Sequence, residues 1–312
     1  MQNGTMKRFV KRILAGAIAV FVASAGTTVS AQREITFYAS AMTITGDRVT
    51  DLKAEEVRVT EDGKEGSVLR LDPINWPVKL TVLVDNGYST GTLLTTYRNG
   101  LKSLFSALPA GVEASLLTLA PQPRWIVRST TDKVQLQNGV DRITPDESAP
   151  RMVEGLIEAS SRIEQEHRKE TKNFPVIVVV STTGPEGSMV VDRDVQRMAT
   201  RLTTYPARVH VIMLSTGATS PTHLVGARQV HIGKSIADLT GGRYEAIAAP
   251  TAVSSLLTAF GATIGEAHNY QSQQYKITIQ RPAGAQGDGG QFLVGATRTG
   301  VRLTVTAQGL KP

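Results

Sequence analysis

The chain has 312 residues, 41% of them hydrophobic and only 5% aromatic, which suffices for one domain-sized core with smaller appendages. It contains no cysteine, which excludes disulfides, thiolate metal centres, a cysteine nucleophile and a lipoprotein-type anchor. Its formal charge of +7 is not organised into the basic stripe with interleaved aromatics that a nucleic-acid binder uses, so no nucleic-acid partner is expected.

Residues 1–31 read as a secretory leader. Lys7, Arg8, Lys11 and Arg12 form a positive region, ILAGAIAVFVASAG (13–26) is a short apolar run, and Val29 and Ala31 stand where a signal peptidase reads, so cleavage is expected after Ala31. The apolar run falls short of the ~20 residues of a membrane span, and no stable membrane insertion is expected after cleavage. The leader carries four basic and no acidic residues, so the mature chain stands near +3. An exported protein, periplasmic or secreted, is the expectation.

Residues 32–75 read as a small β-module. EITFYASAMTI and EEVRVTEDGKEGSVLRL are rich in β-branched residues, and Asp62-Gly63 between alternating runs signals a hairpin. Alternation puts Val57 and Val59 on one face and Glu56, Arg58 and Thr60 on the other; Pro73 and Pro77 mark the boundary.

From residue 76 to 266 strands alternate with helices. KLTVLV (79–84) is apolar on both faces, as in a covered parallel strand. Leu93, Leu94, Tyr97, Leu101, Leu104, Phe105 and Leu108 form a helical stripe, with Ser89 or Thr90 as N-cap. EASLLTLA (113–120) and RWIVRS (124–129) read as strands, and Met152 to Ile163 as a helix. PVIVVVS (175–181) is a strand, Val195, Met198 and Leu202 lie on a helix, and RVHVIMLS (208–215) is a strand. IADLTGG (236–242) reads as a short helix closed by glycine, RYEAI follows, and Val253, Leu256, Leu257, Phe260 and Ile264 form the last helix. The fold class is α/β, a doubly wound and mostly parallel sheet with helices on both faces. Residues 267–312 form a C-terminal β-element from QYKITIQ and VRLTVTA, joined by PAGAQGDGGQF. It can pack on the α/β domain, complete the N-terminal module, or pair with a partner's strand.

Enzyme chemistry finds little support. Gly233-Lys234-Ser235 resembles the end of a phosphate-binding loop, but position 228 is arginine where that loop needs glycine, and the stretch reads as a loop before a short helix. Gly87-Tyr88-Ser89-Thr90-Gly91 has the G-x-S-x-G spacing of a hydrolase nucleophile loop, but His167, His210, His223, His231 and His268 show no triad or metal spacing to go with it. The acidic residues of EQE (164–166) read as a solvated face, and Asp192 and Asp194 as the acidic start of a helix. The chain is not expected to be an enzyme.

What remains is the stretch KLTVLVDNGYST, a strand ending in Asp85 at the mouth of a helix, where sheets of this class hold their ligands. Together with VIVVVSTTGPEG, VHVIMLS and DLTGGRYEAI it resembles a von Willebrand factor A domain, and GDRVTDLKAEEVRVTEDG (46–63) resembles the module that precedes this domain in exported bacterial proteins. The resemblance implies a protein-binding role for the domain. Adhesive members of that family hold Mg²⁺ through a D-x-S-x-S loop, a threonine from a second loop and an aspartate before a glycine in a third. Carried over by position, Asp85 matches the first aspartate and Ser89 the second serine; Gly87 replaces the first serine, Thr183 replaces the third-loop aspartate, and Ser148 is nearest to the threonine. The resemblance therefore implies a depleted metal site, residual at Asp85 and Ser89, with no resident cofactor expected. A Mg²⁺ held by an unorthodox ligand such as Glu186, or completed by a partner, is the alternative, and an unassigned periplasmic enzyme the second. The same edge implies a contact surface for an unknown protein partner, formed by Asn86, Gly87, Tyr88, Ser148 and Thr183.

Overall fold

The computed structural model of the protein describes residues 34–170, 172–215, 224–282 and 291–305; the leader with its cleavage position, and His223, lie outside them. The first strands are β1 (Glu34–Thr43), β2 (Val57–Glu61) and β3 (Lys64–Ile74). Asp62 and Gly63 turn between β2 and β3 with φ of 49° and 79°, so both central residues are left-handed, as a two-residue hairpin of this twist requires. Val57 and Val59 face inward, as the alternation demands, and Arg58 faces out. Pro73 does not end the strand: β3 runs through it, and the boundary is Asn75 to Pro77.

Of the three fates open to the C-terminal element, it completes this module. Strands β10 (Gln274–Gln280), β11 (Phe292–Ala296) and β12 (Val301–Val305) join it in a six-stranded sheet of order β11-β2-β3-β10-β1-β12. β10 lies between β3 and β1, antiparallel to both, and pairs from Glu34↔Gln280 to Ala39↔Tyr275. Phe37, Ala39, Val57, Val59, Ile277 and Ile279 form its core. The Tyr275 hydroxyl there donates to Val49 O at 3.2 Å and accepts from Leu52 N at 3.0 Å. β11, expected from no sequence signal, begins at Phe292, the last residue of the glycine-rich stretch, and lies between that stretch and β12.

The α/β part is a second six-stranded sheet of order β6-β5-β4-β7-β8-β9. Its strands are β4 (Val78–Val84), β5 (Glu113–Thr118), β6 (Arg124–Thr130), β7 (Phe174–Thr182), β8 (Arg208–Leu214) and β9 (Tyr244–Ile247). All neighbours pair in parallel except β6, antiparallel at the edge. Alternate residues of each buried strand feed two cores. Leu80, Val82 and Val84 meet α1 (Leu94–Ala107), α2 (Lys133–Asp141) and α6 (Ala252–Gln271) on one face. Leu83, Ile177 and Val179 meet α3 (Met152–Arg168), α4 (Asp192–Thr204) and α5 (Leu224–Leu239) on the other. No described helix is long and apolar enough to cross a membrane.

Several local expectations change. α1 starts at Leu94 after the N-cap Leu93, so neither Ser89 nor Thr90 caps it; both lie in a 3-10 turn (Tyr88–Thr90), where Thr90 Oγ1 donates to Gly87 O at 2.6 Å. The short helix at 236 is the end of α5, which begins at Leu224 and contains Gly233-Lys234-Ser235 and His231, so that tripeptide is not in a loop. It does close at glycine, with Gly242 N donating to Ala237 O at 2.8 Å. α2 has no counterpart among the expected elements. Glu164 and Glu166 are not a solvated pair: Glu164 binds Arg168 and Arg201, and Glu166 binds Lys79 and Arg162.

Candidate functional site at the carboxyl end of the α/β sheet

The sheet reverses direction around β4: the chain passes from β4 outward to β5 and β6, then returns to lay β7 on the other side. This switch point leaves a crevice beyond the carboxyl end of β4, and Asp85 is the first residue in it. Its amide extends the ladder by donating to Val180 O at 2.8 Å. Its side chain is completely buried. Oδ1 accepts from Gly87 N at 2.8 Å; Oδ2 accepts from Ser181 Oγ at 3.2 Å, Thr182 N at 3.3 Å and Thr182 Oγ1 at 3.0 Å. Burial pushes its pKa above the ordinary carboxylate value, while these hydrogen bonds oppose the rise. Tyr97 from α1 also feels that charge, and its buried hydroxyl has no hydrogen-bond partner among the described residues.

Asn86 turns inward. Its Oδ1 accepts from Leu119 N and Ala120 N, and its Nδ2 donates to Ala120 O and Thr144 O, all within 3.2 Å. It ties three loops together and is only 4% exposed, which leaves its side chain no surface for a partner. Gly87 is also buried, because the loop after α2 lies directly on it. A Cβ there would stand 2.7 Å from Pro150 Cδ and 2.8 Å from Ser148 O. Tyr88 N donates to that Ser148 carbonyl at 3.2 Å, while the Tyr88 ring is 51% exposed. Ser148 is exposed; Ser89 and Thr183 are half-buried, and Thr183 N donates to Leu214 O at 2.9 Å.

Glu186 points elsewhere. Its carboxylate accepts from Ser188 N at 3.1 Å and from Val153 N at 3.4 Å, at the start of α3. Ser188 Oγ accepts from Glu154 N at 3.1 Å. The N-cap residue of α3, Arg151, makes no side-chain cap of its own, so the loop after β7 caps the helix from a distance. Gly187 N donates to Pro150 O at 2.8 Å, latching that loop to the one over Gly87. Gln229 of α5, fully buried, donates to Thr182 O at 2.7 Å and to Gly184 O. Ser181, Ser188 and Gln229 are site residues that sequence reasoning did not find.

Among the described residues, no three Asp, Glu or His side chains gather where they would hold a metal ion.

Comparison with solved structures places this arrangement. The chain is similar to a von Willebrand factor type A protein from Catenulispora acidiphila, at 11% identity and a TM-score of 0.50, over 86% of this chain and 72% of that one. The fold is that of a von Willebrand factor A domain. The chain is also similar to the pilus adhesin SpaC from Lactobacillus rhamnosus GG, at 11% identity and a TM-score of 0.50 over 80% of this chain. The match spans 47% of SpaC, about half its length. No family model matches the chain, and no curated protein does. The loop with Asp85 stands at the switch point of this sheet. The loops with Ser148 and Thr183 lie beside it.

Proposed function

We propose that the chain is a non-enzymatic, exported interaction protein whose A-type domain engages a protein partner without a metal, at the carboxyl edge of its sheet. One observation carries the metal-free part of this reading: four donors of the chain itself already occupy both oxygens of Asp85. Mg²⁺ asks for near-octahedral oxygen ligands and gives up its water reluctantly. Position 87 offers no side-chain oxygen and has no room for one, Thr183 is uncharged, and the Glu186 carboxylate is bonded at α3. This donor set does not fit the ion.

The surface left for a partner is the exposed ring of Tyr88 with Ser148 and Thr183 beside it, held on a rigid base by Asn86 and Gln229. Tyrosine supplies contact area at small conformational cost. The leader-like N-terminus supports export, and the adhesin among the structural neighbours is consistent with an interaction role.

Calorimetric titration of the mature protein with Mg²⁺ and Mn²⁺, together with thermal melts with and without chelator, tests the metal-free reading. A metal that binds only the folded state raises Tm by mass action. The expected result is no binding heat and an unchanged Tm. Micromolar binding with a rise in Tm would replace this reading by the Mg²⁺-dependent one.

A further inference from the structure

At the opposite end of the α/β sheet, where β7 begins, aromatic side chains gather that the site around Asp85 does not use. The chain is only 5% aromatic, yet Tyr38, Trp76, Phe174 and Tyr205 meet here with His167 and Asn173 around a cavity of about 60 Å³. Trp76 lies 5.2 Å from the Tyr38 ring and 5.6 Å from the Phe174 ring, centroid to centroid, and His167 lies 5.0 Å from Tyr205. Phe174 is buried, Tyr38, Trp76, Tyr205 and Asn173 are half-buried, and His167 is exposed, so the cavity opens to solvent on one side. Neither the Trp76 indole N–H nor the Asn173 side-chain amide hydrogen-bonds to another described residue.

Size and charge narrow what enters. The cavity is well below the about 150 Å³ that encloses a whole benzene and opens to solvent, so a ligand enters it only in part and lies mostly along the rim, as an extended segment does. A few methylenes fit. Aromatic walls alone also suit a quaternary ammonium, but the rim is positive. Between the lining residues His167 and Asn173 the chain carries Arg168, Lys169 and Lys172, opposed only by Glu170. Arg168 binds Glu164 and reaches Tyr205; Lys169 and Lys172 are exposed, with no ion pair to a described residue.

From this geometry we infer that the cavity is a docking site for an acidic, proline-bearing extended segment of a partner protein. The pyrrolidine ring of one proline fills the space between the aromatic faces. The Trp76 N–H and the Asn173 amide receive the segment's backbone carbonyls, and Lys169 and Lys172 face its carboxylates. A proline segment is already ordered before binding, which lowers the entropic cost of docking into a shallow aromatic site. The site lies at the amino end of the parallel strands, Asp85 at the carboxyl end, so the inference stands or falls independently of the function proposed above.

The test uses the purified protein and the acetylated, amidated peptide EPPEPPE. Trp125→Phe leaves Trp76 as the remaining indole, since the chain has two tryptophans. Its fluorescence should change saturably with peptide, and calorimetry on the unsubstituted protein should give the same affinity. Affinity should fall about tenfold or more, some 1.4 kcal/mol, with the peptide EAAEAAE and in Tyr205→Ala, and should weaken in Lys172→Glu and with added salt. Thermal melts check that Tyr205→Ala stays folded; His167→Ala on the exposed rim takes its place if it does not. The inference is overturned by the absence of a saturable response at millimolar peptide in both readouts. Equal binding of EAAEAAE overturns it too, as does saturation by tetramethylammonium that the peptide does not compete away, which would make the site a cation cage.

Discussion

Replacing Gly87 by the serine that a metal-binding loop would carry puts a Cβ 2.7 Å from Pro150 Cδ and 2.8 Å from Ser148 O, and both neighbours belong to a loop latched at Gly187. Gly87→Ser should therefore cost about 1–3 kcal/mol in urea-induced unfolding and should not create a Mg²⁺-dependent rise in Tm. A Mg²⁺-stabilised variant would show that the loop yields and that one hydroxyl restores the site. His210 makes a second residue-scale prediction. It is 5% exposed, packs edge-on against Phe260 with ring centroids 5.0 Å apart, and its Nδ1 accepts from Arg243 N at 3.1 Å. Burial, then the charges of Arg208 and Arg243, lower its pKa from 6.5 to about 4. Between those values the unfolded chain binds the proton and the native one does not, so stability present above pH 6.5 is lost as pH falls through 4. The loss should approach about 3 kcal/mol, and His210→Asn should flatten that part of the profile. Glu56, held down to about 2 by Arg298, titrates mostly below this window, but His268, lowered by burial, adds to the His210 slope and Asp85, raised by burial, opposes it. The difference between the profiles of the protein and of His210→Asn is therefore the quantity that isolates His210.

Among the elements, α3 depends on side chains from another loop for its first turn. Ser188→Ala should destabilise the protein by about 1 kcal/mol, and Glu186→Gln by less, because the amide oxygen still accepts; hydrogen exchange should quicken first at Val153 and Glu154. Equal exchange in the variants would show that solvent satisfies these amides unaided. This cap is one of the features that the sequence hides. The strands buried on both faces, β4, β7 and β8, are legible because continuous apolar runs have few other uses, and the Asp62-Gly63 hairpin because its turn chemistry is local. α2 is obscure because KVQLQNGVD is short and carries Asn138 and Gly139, although Asp132 before it is a sound N-cap whose side chain accepts from Val134 N and Gln135 N. β11 hides behind glycines, and α5 shows only its closing turn. At the site, Asp85 is legible as an acidic residue after a buried strand. The inward turn of Asn86, the hydroxyl of Ser181 and the reach of Gln229 are not, because each is defined by partners far away in the chain and leaves no periodicity to read.

For the whole molecule, the tie between the two ends of the chain matters most. Arg281, at the end of β10, donates to Glu61 of β2 through Nε at 2.9 Å and again through Nη2, and the two side chains are only 6% and 1% exposed. Glu61→Ala leaves a buried guanidinium without this carboxylate and should cost about 3–5 kcal/mol. The double variant Glu61→Leu, Arg281→Met should recover much of that loss, and a double-mutant cycle in urea measures the difference. An additive cycle would show that the pair does not act as a unit. The same topology governs the order in which the protein can be made. During synthesis β1, β2 and β3 emerge before the α/β part, yet the strand that belongs between β1 and β3 begins 200 residues after the end of β3. Until it arrives, β1 has no neighbour on either side and the β2–β3 hairpin none beyond its own pair, while the intervening α/β segment already holds all the strands of its own sheet. The first strands translated are thus the last to become native, and a ribosome that stalls before residue 274 releases a chain with a finished α/β part and an adhesive N-terminal end.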